Sequence, residues 1–237
     1  MTSLTFTATA FIESVLKLNP RVAAFDCDGT LWSGDAGEGF FYWELERNLV
    51  SEEVSRSIRA RHSDYKEGNV PEDVMCGEMV TMHHGLKEDL VQRATDEYYP
   101  HAIAPTVFSD MRELVRRLLD SGCDLWAVSS SNQWVIRTAM RDFGIRQDRI
   151  LATEVAVENG VITDHLVRIP SGSGKPEALR EVLDGPLDCA FGNSVWDREM
   201  LAMAKHPFAI NPSAQLKKIA GANQWPMYQP DGTHSAR

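Results

Sequence analysis

Asp26-Cys27-Asp28-Gly29-Thr30 places two carboxylates two positions apart, directly after the apolar run Val22-Ala23-Ala24-Phe25 and directly before a glycine. A short apolar run that ends in polar residues and Gly predicts a buried strand entering a turn. Side chains two apart on a strand share a face. Asp26 and Asp28 are therefore expected to project into one site at the carboxyl edge of a sheet. Two carboxylates held together repel unless a cation or a proton lies between them. The chemistry this suits is a hard divalent metal ion acting on phosphate. The competing reading is an Asp-rich turn, since Asp and Gly are ordinary turn residues, and this stretch alone does not separate the two.

Three later segments do. Val128-Ser129 follows Asp124-Leu125-Trp126-Ala127, Lys175 opens an amphipathic stretch, and Gly192-Asn193-Ser194-Val195-Trp196-Asp197 follows Leu187 to Phe191. In order and spacing, from about Val22 to Pro226, these segments resemble the four motifs of the haloacid dehalogenase-like phosphatase superfamily. Within it they are most similar to the phosphoserine-phosphatase-like branch (subfamily IB). The resemblance implies a three-layer, doubly wound (Rossmann-like) α/β core, a mostly parallel sheet with an inserted helical cap. It also implies roles. Asp26 would attack phosphorus and form an aspartyl-phosphate. Asp28 would protonate the leaving oxygen and then serve as base for water. Ser129, then Ser130, and Lys175 would bind the phosphoryl group. Asp26, Asp28 and Asn193 would hold Mg2+, with Asp197 orienting metal-bound water or Lys175. The metal-independent dehalogenase relatives lack a second aspartate at the place of Asp28, so its presence favours phosphate esters over carbon–halogen bonds.

Each position also has a structural reading. Ser130, Ser131 or Asn132 could cap the helix that follows Ser129, and Asp197 could cap one starting at Arg198. Asp35 and Glu38 form a D-x-x-E pattern before Phe40-Phe41-Tyr42-Trp43, a capping-box-like helix start. Yet Asp35 also lies nine positions after the candidate nucleophile, where similar phosphatases carry an acidic residue that contacts a substrate amino group. An amine-bearing phosphate monoester is the substrate class this implies. Trp32, Tyr42 and Trp43 could add cation–π contacts, although core packing is their ordinary use. Arg56, Arg59 and Arg61 could meet a substrate carboxylate, although a solvated helix face is the default. Adjacent histidines on a helix diverge, so His83-His84 does not read as a metal pair. Ser171-Gly172-Ser173-Gly174-Lys175 lacks P-loop spacing. The fourth motif carries Asn193 where its relatives usually carry Asp. An amide oxygen still ligates Mg2+, but with one negative charge fewer, so weaker metal binding with activity retained is expected.

The elements that must position these residues follow from periodicity. A helix is expected over residues 10–18, stopped by Asn19-Pro20. From Ser33 to about Ala104 strand-like runs vanish, and Glu38–Leu49, Glu52–His62, Glu72–His84 and Lys87–Tyr98 read as helices, with Pro100 and Pro105 marking the return to the core. The expected organisation is a core of residues 1–32 and 105–237 around a helical cap of residues 33–104. Beyond it helices and strands alternate, with a hairpin turn at Glu158-Asn159-Gly160. The segment after Trp225 is expected to be poorly ordered at its end.

The chain has 237 residues and a net charge of −10. That charge argues against general nucleic-acid binding, which needs a basic footprint, and it requires local cations to draw in an anionic substrate. Cys27, Cys76, Cys123 and Cys189 show no CxxC spacing and read as buried thiols of a reducing compartment. No apolar run reaches 18 residues, so no membrane span is expected. Glu13 and the lack of Lys or Arg before Lys17 do not fit a secretory leader, and a cytoplasmic location is expected. The functional expectation is a Mg2+-dependent phosphatase acting on a small phosphorylated metabolite. The alternatives are a non-catalytic phospho-ligand binding protein and a phosphotransferase.

Overall fold

A computed structural model of the chain describes residues 6–231. Seven strands form one sheet: β1 (Val22–Phe25), β2 (Asp124–Asn132), β3 (Ile150–Glu158), β4 (Val161–Arg168), β5 (Cys189–Gly192), β6 (His206–Ile210) and β7 (Met227–Tyr228). Their order across the sheet is β4-β3-β2-β1-β5-β6-β7. Every neighbouring pair is parallel except β3 with β4. That hairpin turns at Asn159 and Gly160, whose φ values of 52° and 75° suit a two-residue turn matched to strand twist.

β1 lies at the centre of the sheet and is covered on both faces, which is why an unbroken apolar run forms it. Residues of alternate parity feed different cores. Phe25, Leu125, Ala127 and Phe191 pack with α1 (Phe6–Leu16), α6 (Ser109–Asp120) and α7 (Gln133–Phe143). Ala24, Trp126, Val128 and Ala190 pack with α8 (Gly174–Val182), α9 (Arg198–Met203) and α10 (Ala214–Ala222). Phe25, Phe191 and Phe208 stack across three adjacent strands at centroid distances of 4.2 and 5.0 Å. The doubly wound, mostly parallel α/β architecture is thus present, and the carboxyl ends of β1, β2 and β5 converge on one edge.

Between β1 and α6 the chain is helical: α2 (Ala36–Glu46), α3 (Glu52–Lys66), α4 (Glu72–Thr81) and α5 (Glu88–Ala102). The apolar residues of this block divide. Phe41, Leu45, Ile58, Val70 and Met75 form a third, small cluster, whereas Phe40, Val91, Ala94 and Tyr98 join the main core. α5 is joined to α7 through Gln92 and Thr95 on Thr138, at 2.8 and 3.0 Å, and through Tyr99 on Asp142 at 2.6 Å.

Four boundaries differ from the sequence expectation. β1 stops at Phe25, so Asp26 and Asp28 lie in the turn beyond it. α1 begins at Phe6. Pro100 lies inside α5, where it removes one backbone donor while the next turn holds through Ile103 N–H on Tyr99 O at 3.0 Å. β7 was not expected. It pairs with β6, and Tyr228 stacks on Phe11 at 3.9 Å and donates its hydroxyl to buried Asp110. The expected disorder at the end of the chain falls on residues 232–237, outside the described residues. Among the described residues no helix is long and apolar enough to cross a membrane.

Candidate active site

Asp26 is the first residue past β1. Its N–H still donates to Phe191 O at 2.9 Å, so the sheet fixes its backbone. Its carboxylate is buried, with Oδ2 accepting from Thr30 Oγ1 at 2.7 Å and Oδ1 from Lys175 Nζ at 2.7 Å. Lys175 enters from the first turn of α8 and is only 2% exposed. Its ammonium also donates to Asp197 Oδ1 at 2.6 Å and to Val128 O at 3.1 Å. Three acceptors meet three N–H groups, so the buried charge is fully satisfied. Asp197 Oδ2 in turn accepts the N–H groups of Asn193 and Ser194 at 2.9 and 2.8 Å. Gly192 is required here, because a Cβ on it would lie 2.5 Å from Asp197 Cβ. Asp197 therefore both caps the turn at Ser194 and holds the lysine.

The electrostatics follow from burial. Desolvation, with the charge of Asp197 added, lifts the Asp26 carboxyl to about 6 despite Lys175 beside it. Burial alone would lower Lys175, but Asp197 and Asp26 hold it well above the usual lysine range. Asp28 is lifted to about 7, first by burial and then by Asp35, against the donors from Ala36 and Ser131. Those donors are Ala36 N–H at 2.5 Å and Ser131 Oγ at 2.7 Å, with Trp32 Nε1 a third at 2.8 Å. Asp28 is thus a carboxyl clamped in one orientation that carries a proton part of the time at neutral pH.

Ser129 is buried, and its Oγ accepts the Ser131 N–H at 3.1 Å. The cavity wall is made instead by Ser130, Ser131 and Asn132. Asn132 caps α7, taking Val135 N–H at 2.9 Å. Cys27 points away from the cavity into the main core beside Phe25.

The cavity has a volume of about 310 Å³, the lower end of the range for small-molecule sites. Asp26, Asp28, Lys175 and Asn193 line one side, and residues from α2, α3 and α4 line the other. Asp35 is among the latter. It caps α2, with Oδ1 accepting Glu38 N–H at 2.8 Å, and it faces the cavity as well. Burial raises its pKa.

The donor set fits a hard cation. Among the described residues no three of His, Cys, Asp and Glu converge as a metal site, and the side-chain oxygen that lines the cavity beside the two aspartates belongs to Asn193. Its amide lies against Gly29, whose missing Cβ would otherwise sit 1.8 Å from Nδ2. Oxygen ligands of this kind are what Mg2+ takes.

Several residues the sequence suggested do not reach the cavity. Arg61 is spent on Glu78, with N–O distances of 2.6 to 3.2 Å, and Arg56 pairs with Glu52. Trp43 packs under Arg47 at 4.0 Å, and Tyr42 bonds His62. His83 is buried against Glu44 at 2.7 Å while His84 is exposed, so the two diverge. Conversely, Trp32 and Ser131, read from the sequence as a cation–π candidate and a helix cap, hold Asp28 instead, and sequence reasoning missed Thr30, which holds Asp26, and Glu72, His62, Tyr65, Lys66 and Trp196, which line the cavity. The spacing of Thr30 and Trp32, each four residues after the aspartate it serves, was the available signal for those two.

The model of the haloacid dehalogenase-like hydrolases matches residues 23–202. The chain is 27% identical over 231 residues to a phosphoserine phosphatase of Mycobacterium tuberculosis, covering 86% of this chain and 68% of the relative. It is 25% identical over 219 residues to a histidinol-phosphatase of Neisseria meningitidis, covering 87% and 97%. It spans only 55% of the length of a probable phosphatase from M. tuberculosis. A Bordetella pertussis protein of unknown function shares the fold with a TM-score of 0.79 at 22% identity, over 88% of this chain and 98% of that one.

Proposed function

Because the chain belongs to the haloacid dehalogenase-like hydrolases, we propose that it is a Mg2+-dependent phosphomonoesterase for a small amine-bearing metabolite, working through an aspartyl-phosphate on Asp26. The single observation that carries this reading is the buried Lys175 ammonium bridging Asp26 and Asp197 beside a separately clamped Asp28. A binding protein needs neither a buried carboxylate held ready by Thr30 and Lys175 nor a second carboxyl poised near neutral pH.

Asp26 attacks phosphorus, the bond to the leaving oxygen breaks, and Asp28 gives that oxygen its proton. Water then attacks the aspartyl-phosphate, Asp28 takes the proton, and the Asp26–phosphorus link breaks to release phosphate. Lys175 keeps Asp26 ionised between turnovers and offsets charge on the transferred group. Ser130, which lines the cavity wall, would donate to a phosphoryl oxygen, while buried Ser129 holds the Ser131 N–H from behind that wall. Asp26, Asp28 and Asn193 would hold Mg2+, which supplies charge neutralisation between nucleophile and phosphate. Asp35 would receive the substrate amine. The named substrates of the two phosphatase relatives, phosphoserine and histidinol phosphate, both carry an amino group.

Phosphate release from a metabolite panel, with Mg2+ and with EDTA, tests the reading. Metal-dependent turnover is expected, together with a hydroxylamine-sensitive phosphoryl label that Asp26→Asn abolishes. A folded Asp26→Asn protein as active as the parent would refute it, and binding without turnover would favour a phospho-ligand binding protein. Product esters formed on adding acceptor alcohols would reveal a phosphotransferase.

A further inference from the structure

The charged residues that line the cavity are mostly acidic. Among the described residues, Lys66 and Lys175 are the lysines that line it and no arginine does. Lys175 is consumed by Asp26, Asp197 and Val128 O. Lys66 is tied to Glu38 at 2.5 Å and half exposed. The guanidinium groups that could have received a carboxylate, Arg56 and Arg61, are paired elsewhere. Asp35 and Glu72, in contrast, line the cavity and form no ion pair among the described residues.

Glu72 sits in the first turn of α4 and accepts the Ser171 hydroxyl at 2.8 Å, from the loop that leads into Lys175. Trp196 comes from a different segment, the turn Val195–Asp197 after β5, and packs against that loop. Its ring is 3.6 Å from where Gly172 would carry a Cβ, and it remains 46% exposed while lining the cavity. A large ring left open at the wall of a cavity that an unpaired acidic side chain also lines is a combination that receives an alkylammonium group: the ring face attracts it by its quadrupole, and its charge favours the ionised form of Glu72, whose carboxyl burial lifts to about 7.

Resting on the phosphatase reading, we propose that Glu72 and Trp196 form the leaving-group subsite, and that the substrate is the phosphate ester of an amino alcohol bearing no carboxylate. Asp35 faces the same ammonium from α2. A substrate carboxylate would meet Asp35 and Glu72 with no guanidinium to receive it, a like-charge contact that discriminates against amino-acid phosphates.

The test compares four small esters with the Mg2+-loaded protein: ethyl phosphate, phosphoethanolamine, phosphoserine and phosphoglycolate. The expected kcat/KM for phosphoethanolamine exceeds those of ethyl phosphate and phosphoserine by about tenfold or more, with phosphoglycolate the poorest. Glu72→Gln and Trp196→Ala are each expected to shrink the phosphoethanolamine to ethyl phosphate ratio at least about threefold, through KM rather than kcat. Turnover of ethyl phosphate with phosphoserine equal to or above phosphoethanolamine, an advantage below about tenfold, or ratios unmoved by both variants would overturn the subsite and leave the phosphatase standing. Absence of turnover on all four esters and on p-nitrophenyl phosphate would sink the phosphatase reading and the subsite with it.

Discussion

Replacing Lys175 by Met removes a buried cation and keeps most of its volume. Lys175 is 2% exposed and donates to two carboxylates and a carbonyl within 2.6 to 3.1 Å. Removing one partner of a buried ion pair leaves an uncompensated charge and costs roughly 3–5 kcal/mol. At roughly 2–4 °C per kcal/mol for a chain of this size, the melting temperature should fall by about 6–20 °C. The loss should be coupled to Asp197. In Lys175→Met, Asp197→Asn removes the orphaned anion yet still offers an oxygen to the Asn193 and Ser194 N–H groups. The double variant should therefore be more stable than Lys175→Met by at least about 1 kcal/mol, a coupling within the usual range for contacting residues. Thermal unfolding followed by circular dichroism at pH 7 in EDTA measures all four corners of the cycle. Asp26 also loses the ammonium that opposes burial and holds its pKa at about 6, so its pKa should rise further, and activity at pH 7 should collapse and recover in part at higher pH. A Lys175→Met protein within about 1 kcal/mol of the parent, or an Asp197→Asn change that adds its full cost in that background, would refute the reasoning.

Gly29 has φ +74°, and an added Cβ would meet the Asn193 amide at 1.8 Å. Gly29→Ala should lose about 1–2 kcal/mol through the left-handed backbone and, because the amide must swing away, should raise the Mg2+ concentration needed for half-maximal activity; an unchanged Mg2+ titration would contradict the placement of Asn193. Asn193→Asp restores a unit charge worth roughly 1–4 kcal/mol near 4 Å before desolvation, so calorimetric titration should show Mg2+ bound about fivefold or more tighter, and equal or weaker binding would count against it. Asp26 titrates near 6 in the fold and near 3.8 in its ordinary state, so between those values the folded chain binds more protons and stability falls as pH rises, by up to about 3 kcal/mol. Metal-free Asp26→Asn should lack that part of the decline when melting temperatures are compared at pH 4 and pH 7.5, and a parent that gains stability over this window relative to the variant would contradict the sign.

Much of the fold was legible because the relevant signals are local. The apolar runs at Val22, Leu125 and Cys189 end at Asp26, Ser129 and Gly192, and their alternate residues feed two different helix layers. The hairpin at Asn159-Gly160 is fixed by the positive φ both residues adopt. β7 was hidden because two residues of strand carry no periodicity; a partner strand and the Tyr228–Asp110 contact define it. Pro100 misled because a proline near a helix end removes only one hydrogen bond, and packing of α5 on α7 outweighs that loss.

Residue types and order along the chain determined that two aspartates, a serine, a lysine and an Asn-x-x-x-Asp segment would gather at the carboxyl ends of three strands, since strand direction and parallel pairing leave them no other place. Only the tertiary structure decided what each group touches. It gave Lys175 three acceptors, set Trp32 and Ser131 on Asp28, turned Arg56 and Arg61 to other carboxylates, and brought Glu72 and Trp196 to the cavity. The physical reason is range: backbone periodicity acts over a few residues, whereas the burial and charge pairing that tune a site act between segments up to 149 positions apart.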